Sequence, residues 1–532
     1  MTFRTTLGTA VVRALAAGGV DRIFGIPGSH TLGLYRALDT ARVEHVTARH
    51  EQGVGFMADG ATRASGRVAA CSVICGPGVA NVATAIGQAY SDAVPMLVLA
   101  GDLSRAERGG RGGHAHELRD QDALLRAVTD RVTRASEPED VLHAVHDALT
   151  PRRWGRPGPA VVQVPQDLWD APVDPPGPDT SVAPARRPLP ADPGAVDEAV
   201  AMLAAAHRPV IVAGGGAAGA AEDLRALAER LDAPVLTTLN GKGTIDARHR
   251  LHAGIVTQQY GVPHGAAQAL LTGADVVLAV ATELGPTDFW ASRPRLTGRL
   301  IHVDVDPVAI GRHLPADVAV AADVATVLAE MAERLPTAHR SGTERAATCR
   351  RRILDEAAPL AAPYAPWIAA LRRSMPDDAC LAVDSTSANY YGATPLFPVH
   401  RPRGWLNPSG LGTLGYAVPA AIGAAVATPG RPTVALVGDG GLMFTLTELL
   451  VAAERDIPLV TVVWRNGGFG EIARLLEEQG AGPVGCRQRA PDYPALAAAF
   501  GCRYAEPQTP AEFAAVVAGG LDASGPTLVV VP

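Results

Sequence analysis

The sequence predicts an α/β protein made of three successive doubly wound domains, each built on a mostly parallel sheet. Three observations carry this. The chain has 532 residues, and at roughly 100–200 residues per domain that length allows three or four domains. Apolar residues make up 47% and charged residues 19%, which supplies several cores and too little charge for general disorder. Short apolar runs alternate with segments of helical periodicity, the pattern of βα units.

The first domain is placed at residues 1–170. Leu7–Ala17, Glu51–Ala64 and Asn81–Tyr90 alternate there with the apolar runs Arg22–Gly25, Ala69–Cys75 and Met96–Ala100. Residues 171–193 read as an extended linker, because Pro172, Pro175, Pro176, Pro178, Pro184, Pro188, Pro190 and Pro193 cannot continue a helix or a central strand. The second domain, 194–336, shows strand-like runs at Pro209–Ala213, Asp275–Val280 and Leu300–Val305. A more charged segment, 337–365, with Arg345, Arg350, Arg351 and Arg352, reads as a helical connector. The third domain, 366–532, has strand candidates Cys380–Val383, Thr433–Val437 and Leu459–Val463, with helices Ala417–Ala427 and Thr447–Glu454.

Composition narrows the function classes. A net charge of −7 and a pI of about 6.1 argue against a nucleic-acid partner held by overall positive charge. Lys242 is the only lysine, and the arginines are scattered. Cys71, Cys75, Cys349, Cys380, Cys486 and Cys502 form no C-x-x-C pair, so reduced core thiols and a cytoplasmic location are expected. No apolar run of about 18 residues is free of charge or breakers, and Met1–Gly19 lacks the apolar core of a secretory leader. No membrane span is expected.

The strongest motif lies in the third domain. The run Val434–Val437 opens into Gly438-Asp439-Gly440-Gly441, and Leu459–Trp464 opens into Arg465-Asn466-Gly467-Gly468-Phe469-Gly470. An acid and an amide thus each stand beyond the C-terminal end of a strand, where open parallel sheets bind ligands. Asp439 and Asn466 supply hard oxygen ligands and the glycines allow close backbone approach, a combination suited to Mg2+ bridging protein to a phosphate. Two ordinary strand-ending turns would use the same residues.

The pair, 27 residues apart, resembles the signature of thiamine-diphosphate enzymes. Arg465 stands where that family usually has Asn. The resemblance implies a Mg2+ held by Asp439, Asn466 and the backbone carbonyl of Gly468, with Gly440 and Gly441 beside the diphosphate. Arg49-His50-Glu51-Gln52-Gly53, followed by Gly76-Pro77-Gly78 and Asn81, resembles the pyrimidine-binding domain of the same enzymes. Their essential glutamate maps to Glu51, whereas a lone Glu opening a helix is otherwise an ordinary dipole partner. The resemblance implies that Glu51 hydrogen-bonds N1′ of the aminopyrimidine and promotes loss of the thiazolium C2 proton. An apolar pocket would raise its pKa and keep a proton available.

Further stretches are similar to the family. Asn407-Pro408-Ser409-Gly410-Leu411-Gly412-Thr413-Leu414-Gly415 resembles the segment that bends the cofactor, with Leu414 as wedge and the Gly412 carbonyl accepting from the 4′-amino group. Thr386 and Ser387, after the strand Cys380–Val383, would donate to the diphosphate, although a helix cap looks the same. Gly25-Ile26-Pro27-Gly28-Ser29-His30 resembles the first active-site loop, where Ser29 would touch a substrate carboxylate. Most of the chain is similar to the acetolactate synthase/benzoylformate decarboxylase group. That likeness implies pyrimidine-binding, central Rossmann-like and diphosphate-binding domains in this order. It also implies a homodimer or homotetramer with active sites between subunits.

In the central domain Gly214-Gly215-Gly216-Ala217-Ala218-Gly219 fits the dinucleotide fingerprint G-x-G-x-x-G. The acidic residue that should end the second strand is not evident, because Asp232 precedes Pro234 instead. Relatives hold FAD, ADP or nothing there, and an empty domain is the expectation here.

The reaction is read from departures. Glu471-Ile472-Ala473-Arg474-Leu475 replaces the Met-Val-x-Gln-Trp of acetolactate synthases, and Ile74 stands where benzoylformate decarboxylases carry His. Proton transfer would then fall to His30, His114 or His116, although His-x-His also suits zinc or a solvated loop. Gly109–Asp122, with His116-Glu117-Leu118, is similar to 5-guanidino-2-oxopentanoate (2-ketoarginine) decarboxylases. So are Gly468–Ile472, Pro483-Val484-Gly485, Pro491-Asp492-Tyr493, and Thr282-Glu283-Leu284 with Asp288. A guanidinium substrate wants carboxylates, and Glu117 and Glu471 would supply them or relay protons; Glu471 would equally cap its own helix. The expected function is decarboxylation of a 2-oxo acid to an aldehyde and CO2. An acetolactate-synthase-like carboligase and a non-catalytic nucleotide-binding regulatory relative are the alternatives.

Overall fold

The computed structural model describes residues 5–109, 112–150, 155–174, 189–256, 265–289 and 293–531. Their strands build three six-stranded sheets, all of them parallel. The first domain contributes β1 (Thr5–Thr6), β2 (Arg22–Gly25), β3 (Glu44–Thr47), β4 (Ala69–Val73), β5 (Met96–Asp102), β6 (Arg131–Arg134), β7 (Ala160–Pro165) and β8 (Pro172–Val173). Its sheet order is β3-β2-β4-β5-β7-β6.

The central domain contributes β9 (Pro209–Ala213), β10 (Val235–Thr237), β11 (His252–Ile255), β12 (Val276–Val280), β13 (Arg299–Asp304) and β14 (Val318–Ala321). Their order is β11-β10-β9-β12-β13-β14, that of a Rossmann sheet. The third domain holds β15 (Cys380–Val383), β16 (Trp405–Leu406), β17 (Thr433–Gly438), β18 (Leu459–Trp464), β19 (Arg503–Ala505) and β20 (Thr527–Val531). Its order, β16-β15-β17-β18-β20-β19, repeats the topology of the first sheet.

Local chemistry explains the element boundaries. The helix Leu7–Ala17 starts where the Thr6 side chain accepts the Thr9 N–H. The helix Glu51–Ser65 ends at Gly66, whose φ of 75° suits glycine. The helix Ala417–Ala427 is apolar on every side and therefore buried. It crosses Glu51–Ser65 so closely that a Cβ on Gly60 would overlap the Ala420 carbonyl, and one on Gly423 the Met57 carbonyl. Glycine at the crossing thus fastens the third domain to the first in one shared core.

Two sequence expectations change at the linkers. Pro172–Val173, assigned to the linker by its prolines, pairs antiparallel with Thr5–Thr6 and closes the first domain; proline is tolerated at the first residue of an edge strand. Residues 175–188 of the proline-rich stretch lie outside the described residues, and a helix begins at Pro193. In the connector, the helix Gly342–Ala361 places Ala346, Cys349 and Ile353 in a core of the central domain. No helix among the described residues is long and apolar enough to cross a membrane.

Candidate active site

The third sheet changes direction between β15 and β17, and the two strands end side by side. Register places Gly438 beside Trp464, so Asp439 and Asn466 leave the sheet as neighbours. Asp439 Oδ1 accepts the Gly440 and Gly468 N–H groups at 3.0 and 3.2 Å, and Oδ2 accepts Gly467 N–H at 2.8 Å. The Asn466 side-chain oxygen faces Asp439 Oδ1 and the Gly468 carbonyl, each at 3.0 Å. Bare oxygens repel at that distance unless the amide turns to donate or a cation lies among them. With its nitrogen turned to these two oxygens, Asn466 donates to both; with its oxygen there, Asp439, Asn466 and the Gly468 carbonyl are the hard donors a Mg2+ takes.

The backbone around it is fitted closely. Gly468 has φ 125°, and a Cβ there would strike the Cys486 carbonyl, so the segment before Arg487 folds back onto the turn. A Cβ on Gly440 would lie 2.9 Å from the Gly468 carbonyl, and one on Gly438 2.7 Å from Thr386 Oγ1. Thr386 and Ser387 are buried at the end of β15.

Glu51 opens its helix in the first domain, and Asn81 Nδ2 donates to its Oε2 at 2.8 Å. Asn81 sits on the helix Pro77–Ser91, which starts at Gly76 with φ 65°. A Cβ on Gly78 would touch Ile74 at 2.7 Å and lie 3.5 Å from Glu51 Oε1, so Ile74 supplies an apolar wall beside the carboxyl.

Sequence reasoning missed how the segment 407–415 is held. Asp92 accepts the Ser409 and Gly410 N–H groups at 3.1 and 2.8 Å, and Gln88 Oε1 accepts Thr413 Oγ1 at 3.0 Å. Buried Asp384 accepts the Gly415 and Ala417 N–H groups from the other side. Burial raises its pKa to about 6 although those N–H groups oppose it. Between the two anchors Gly412 takes φ 68°, and Leu414 stays partly exposed. Arg63 completes the junction. It pairs with Asp59 at 2.6 Å and Asp92 at 2.7 Å, and reaches Asn240 of the central domain at 3.3 Å. Asp59 in turn accepts Tyr416 Oη at 2.5 Å.

The loop histidines separate into two environments. His30 is buried, with Nδ1 3.1 Å from the exposed Ser29 Oγ, and its ring meets His116 edge-to-face at 5.5 Å. Burial, then the neighbouring His116, lowers the His30 pKa and keeps the ring neutral. His116 has φ 65°, and its backbone lies against Gly76. His114 turns instead to Glu107, 3.5 Å away, so no zinc cluster forms from His114 and His116 among the described residues.

Glu117 and Glu471 also divide. Glu117 bends back on its own loop, where the His114 N–H first, then those of Gly113 and Gly112, hold its carboxyl below the usual range. Its Oε2 accepts the His114 N–H at 3.0 Å within that loop. Glu471 is more than a helix cap. Both its oxygens accept Tyr391 Oη at 2.8 Å, and Arg474 pairs with it at 2.6 Å.

Among the described residues, no hydrogen bond joins the Glu51–Asn81 pair to the Asp439 cluster within one chain. What the third domain sets against the Glu51 helix is Glu448, whose carboxylate accepts the Arg49 and His50 N–H groups at 3.1 and 3.0 Å. In the central domain, Gly214–Gly219 lies at the change of direction between β9 and β12, its Gly214 N–H bonding the Val280 carbonyl at 2.9 Å. Gly214 and Gly216 press against Ala281, and β10 leads into Thr238-Leu239-Asn240 without an acid. The glycines therefore serve close packing.

Comparison with known proteins agrees with this geometry. Residues 5–124 match the description "Thiamine pyrophosphate enzyme, N-terminal TPP binding domain", 196–331 the corresponding central domain, and 386–531 the C-terminal TPP binding domain. A protein of Pseudomonas aeruginosa described as a probable 2-ketoarginine decarboxylase is 42% identical over 530 residues, covering 98% of this chain and 93% of that one. The acetolactate synthase large subunit of Parasynechococcus marenigrum is 33% identical, covering 92% and 82% of the two chains. The acetolactate synthase isozyme 3 large subunit of Escherichia coli is 32% identical, covering 92% and 88%.

Proposed function

This chain belongs to the thiamine pyrophosphate enzyme family, and we propose that it decarboxylates a 2-oxo acid with a basic side chain, of the 5-guanidino-2-oxopentanoate type. Thiamine diphosphate, when bound, supplies the electron sink that lets a 2-oxo acid lose CO2. The rest falls to the protein. Glu51, steadied by Asn81, presents a carboxyl that exchanges a proton with the pyrimidine ring beside the apolar wall of Ile74. Asp439, Asn466 and the Gly468 carbonyl hold Mg2+, and Thr386, Ser387, Gly440 and Gly441 border the diphosphate. Gly412 and Leu414 shape the cofactor's bend on the segment fixed by Asp92, Gln88 and Asp384.

Neutral His30, with Nδ1 engaged by Ser29, keeps Nε2 for proton exchange at the substrate, and His116 links that ring to solvent. The two halves of the site meet across a twofold axis between chains. Exposed Leu411, Met443, Phe444 and Ile472 on the third domain support that assembly.

The observation that carries the substrate is Glu471. Tyr391 orients its carboxylate, its pairing with Arg474 shows that it accepts a guanidinium, and the substrate's guanidinium would replace Arg474 there. The test is a panel of 2-oxo acids offered to the Mg2+-loaded holoenzyme, with products read by mass spectrometry. Aldehyde formed faster from the guanidino acid than from pyruvate is expected. Equal rates would refute the basic preference, and a hydroxy-keto acid product would replace decarboxylation with carboligation.

A further inference from the structure

Between the central and third domains lies a cavity of about 140 Å³ that the site above does not use. One end is cationic. Lys242 Nζ donates to the carbonyls of Ala393 and Thr394 at 3.1 and 2.8 Å and lies 4.0 Å from the Trp405 ring centre. Arg350 donates to the His252 carbonyl at 2.6 Å. Among the described residues neither cation has a carboxylate partner, and no acid lines the cavity. His252 lines the same end, and its Nδ1 is buried without a hydrogen-bond partner. The lining also carries the apolar Ile353, Leu396 and Phe397.

The energetics are unbalanced as they stand. Lys242 and Arg350 are only partly exposed, and a partly buried cation without a counter-charge favours an anion beside it. Burial pulls the Lys242 pKa down to about 7. Burial, with Arg350 and Lys242, pulls that of His252 to about 4, while Asp246 opposes. An anion in the cavity would give Lys242 and Arg350 a counter-charge and the orphaned His252 nitrogen a partner.

We propose that this cavity binds a short aliphatic carboxylate, its head between Lys242, His252 and Arg350 and its tail against Phe397 and Ile353. The same cations repel a guanidinium, so this is not a second place for the substrate proposed above. The carbonyls on which Lys242 rests end the turn Ala388–Ala393, which carries Tyr391, the partner of Glu471. A carboxylate drawing on Lys242 therefore acts on the segment that orients the substrate-reading residue.

Because Lys242 is the only lysine, its acylation by acetic anhydride can be followed by mass spectrometry on the holoenzyme, without turnover. Pentanoate should protect it saturably, ~10-fold at ten times the dissociation constant, while sodium chloride of equal ionic strength should not. Arg350→Met should weaken the protection. A bromine-tagged pentanoate in crystals should give an anomalous peak inside the cavity. Equal labelling with pentanoate and chloride, protection unchanged in Arg350→Met, or a bromine peak elsewhere overturns the proposal. None of these outcomes depends on which 2-oxo acid the enzyme turns over.

Discussion

The carboxylate of Glu448, in the third domain, accepts the backbone N–H of His50, in the first, at 3.0 Å, immediately ahead of Glu51. Burial raises the Glu448 pKa from 4.5 to about 7 against the opposing Arg49 and His50 N–H groups, and Glu51 adds to the rise. The folded chain therefore holds this proton longer than the unfolded chain. Its contribution to stability is present below pH 4.5 and is lost as pH rises to 7. Glu448→Gln should match the wild type at pH 5 and exceed it at pH 8, by at most about 3 kcal/mol. Thermal melts at the two pH values check this; parallel pH profiles would contradict it.

Glu51→Gln keeps the Asn81 contact but removes the exchangeable proton. Turnover should fall by about 10²-fold or more, with cofactor affinity measured by calorimetry little changed. Full activity in the variant would remove Glu51 from the chemistry.

Asn466→Ala deletes one oxygen from the face it shares with Asp439 and Gly468. The Mg2+ concentration needed for half-maximal activity should rise ~10–100-fold. Chelation should abolish wild-type turnover and Mg2+ should restore it.

Arg63→Ala leaves Asp59 and Asp92 buried without their shared cation. Removing one member of such a network costs about 3–5 kcal/mol. The denaturation midpoint should drop accordingly, and KM for the cofactor should rise because Asp92 anchors Ser409 and Gly410.

Glu471→Gln tests substrate reading. KM for the guanidino acid should rise ~10-fold or more, the worth of a charge-assisted hydrogen bond, while KM for pyruvate stays put. A parallel change for both acids would assign Glu471 to general architecture.

The fold was largely legible because its signals are local. Leu7–Ala17 and Ala417–Ala427 were readable as helices to the residue, since a cap and an apolar stretch delimit each. The runs Ala160–Pro165 and Thr527–Val531 escaped notice although both are central buried strands; a short apolar run without periodicity does not declare its structure. Val235–Thr237 is too short to register at all. The Asp439 and Asn466 turns were legible because each stands within two residues of the end of its own strand.

By itself the sequence determined the three-domain α/β plan and placed Asp439 and Asn466 at the β17 and β18 ends and Glu51 at the start of its helix. Only the tertiary structure decided that Glu448 holds the Arg49 and His50 N–H groups ahead of the Glu51 helix and that Asp92 and Asp384 clamp the segment 407–415. It also decided that His30 meets His116, that Glu117 turns back on its own loop, and that Lys242 borders a cavity. The reason is range. Strand-end turns and helix caps are fixed by neighbours a few residues away, whereas His50 and Glu448 are 398 residues apart in the chain. Partners so distant are chosen by packing between domains, which leaves no periodic trace in the sequence.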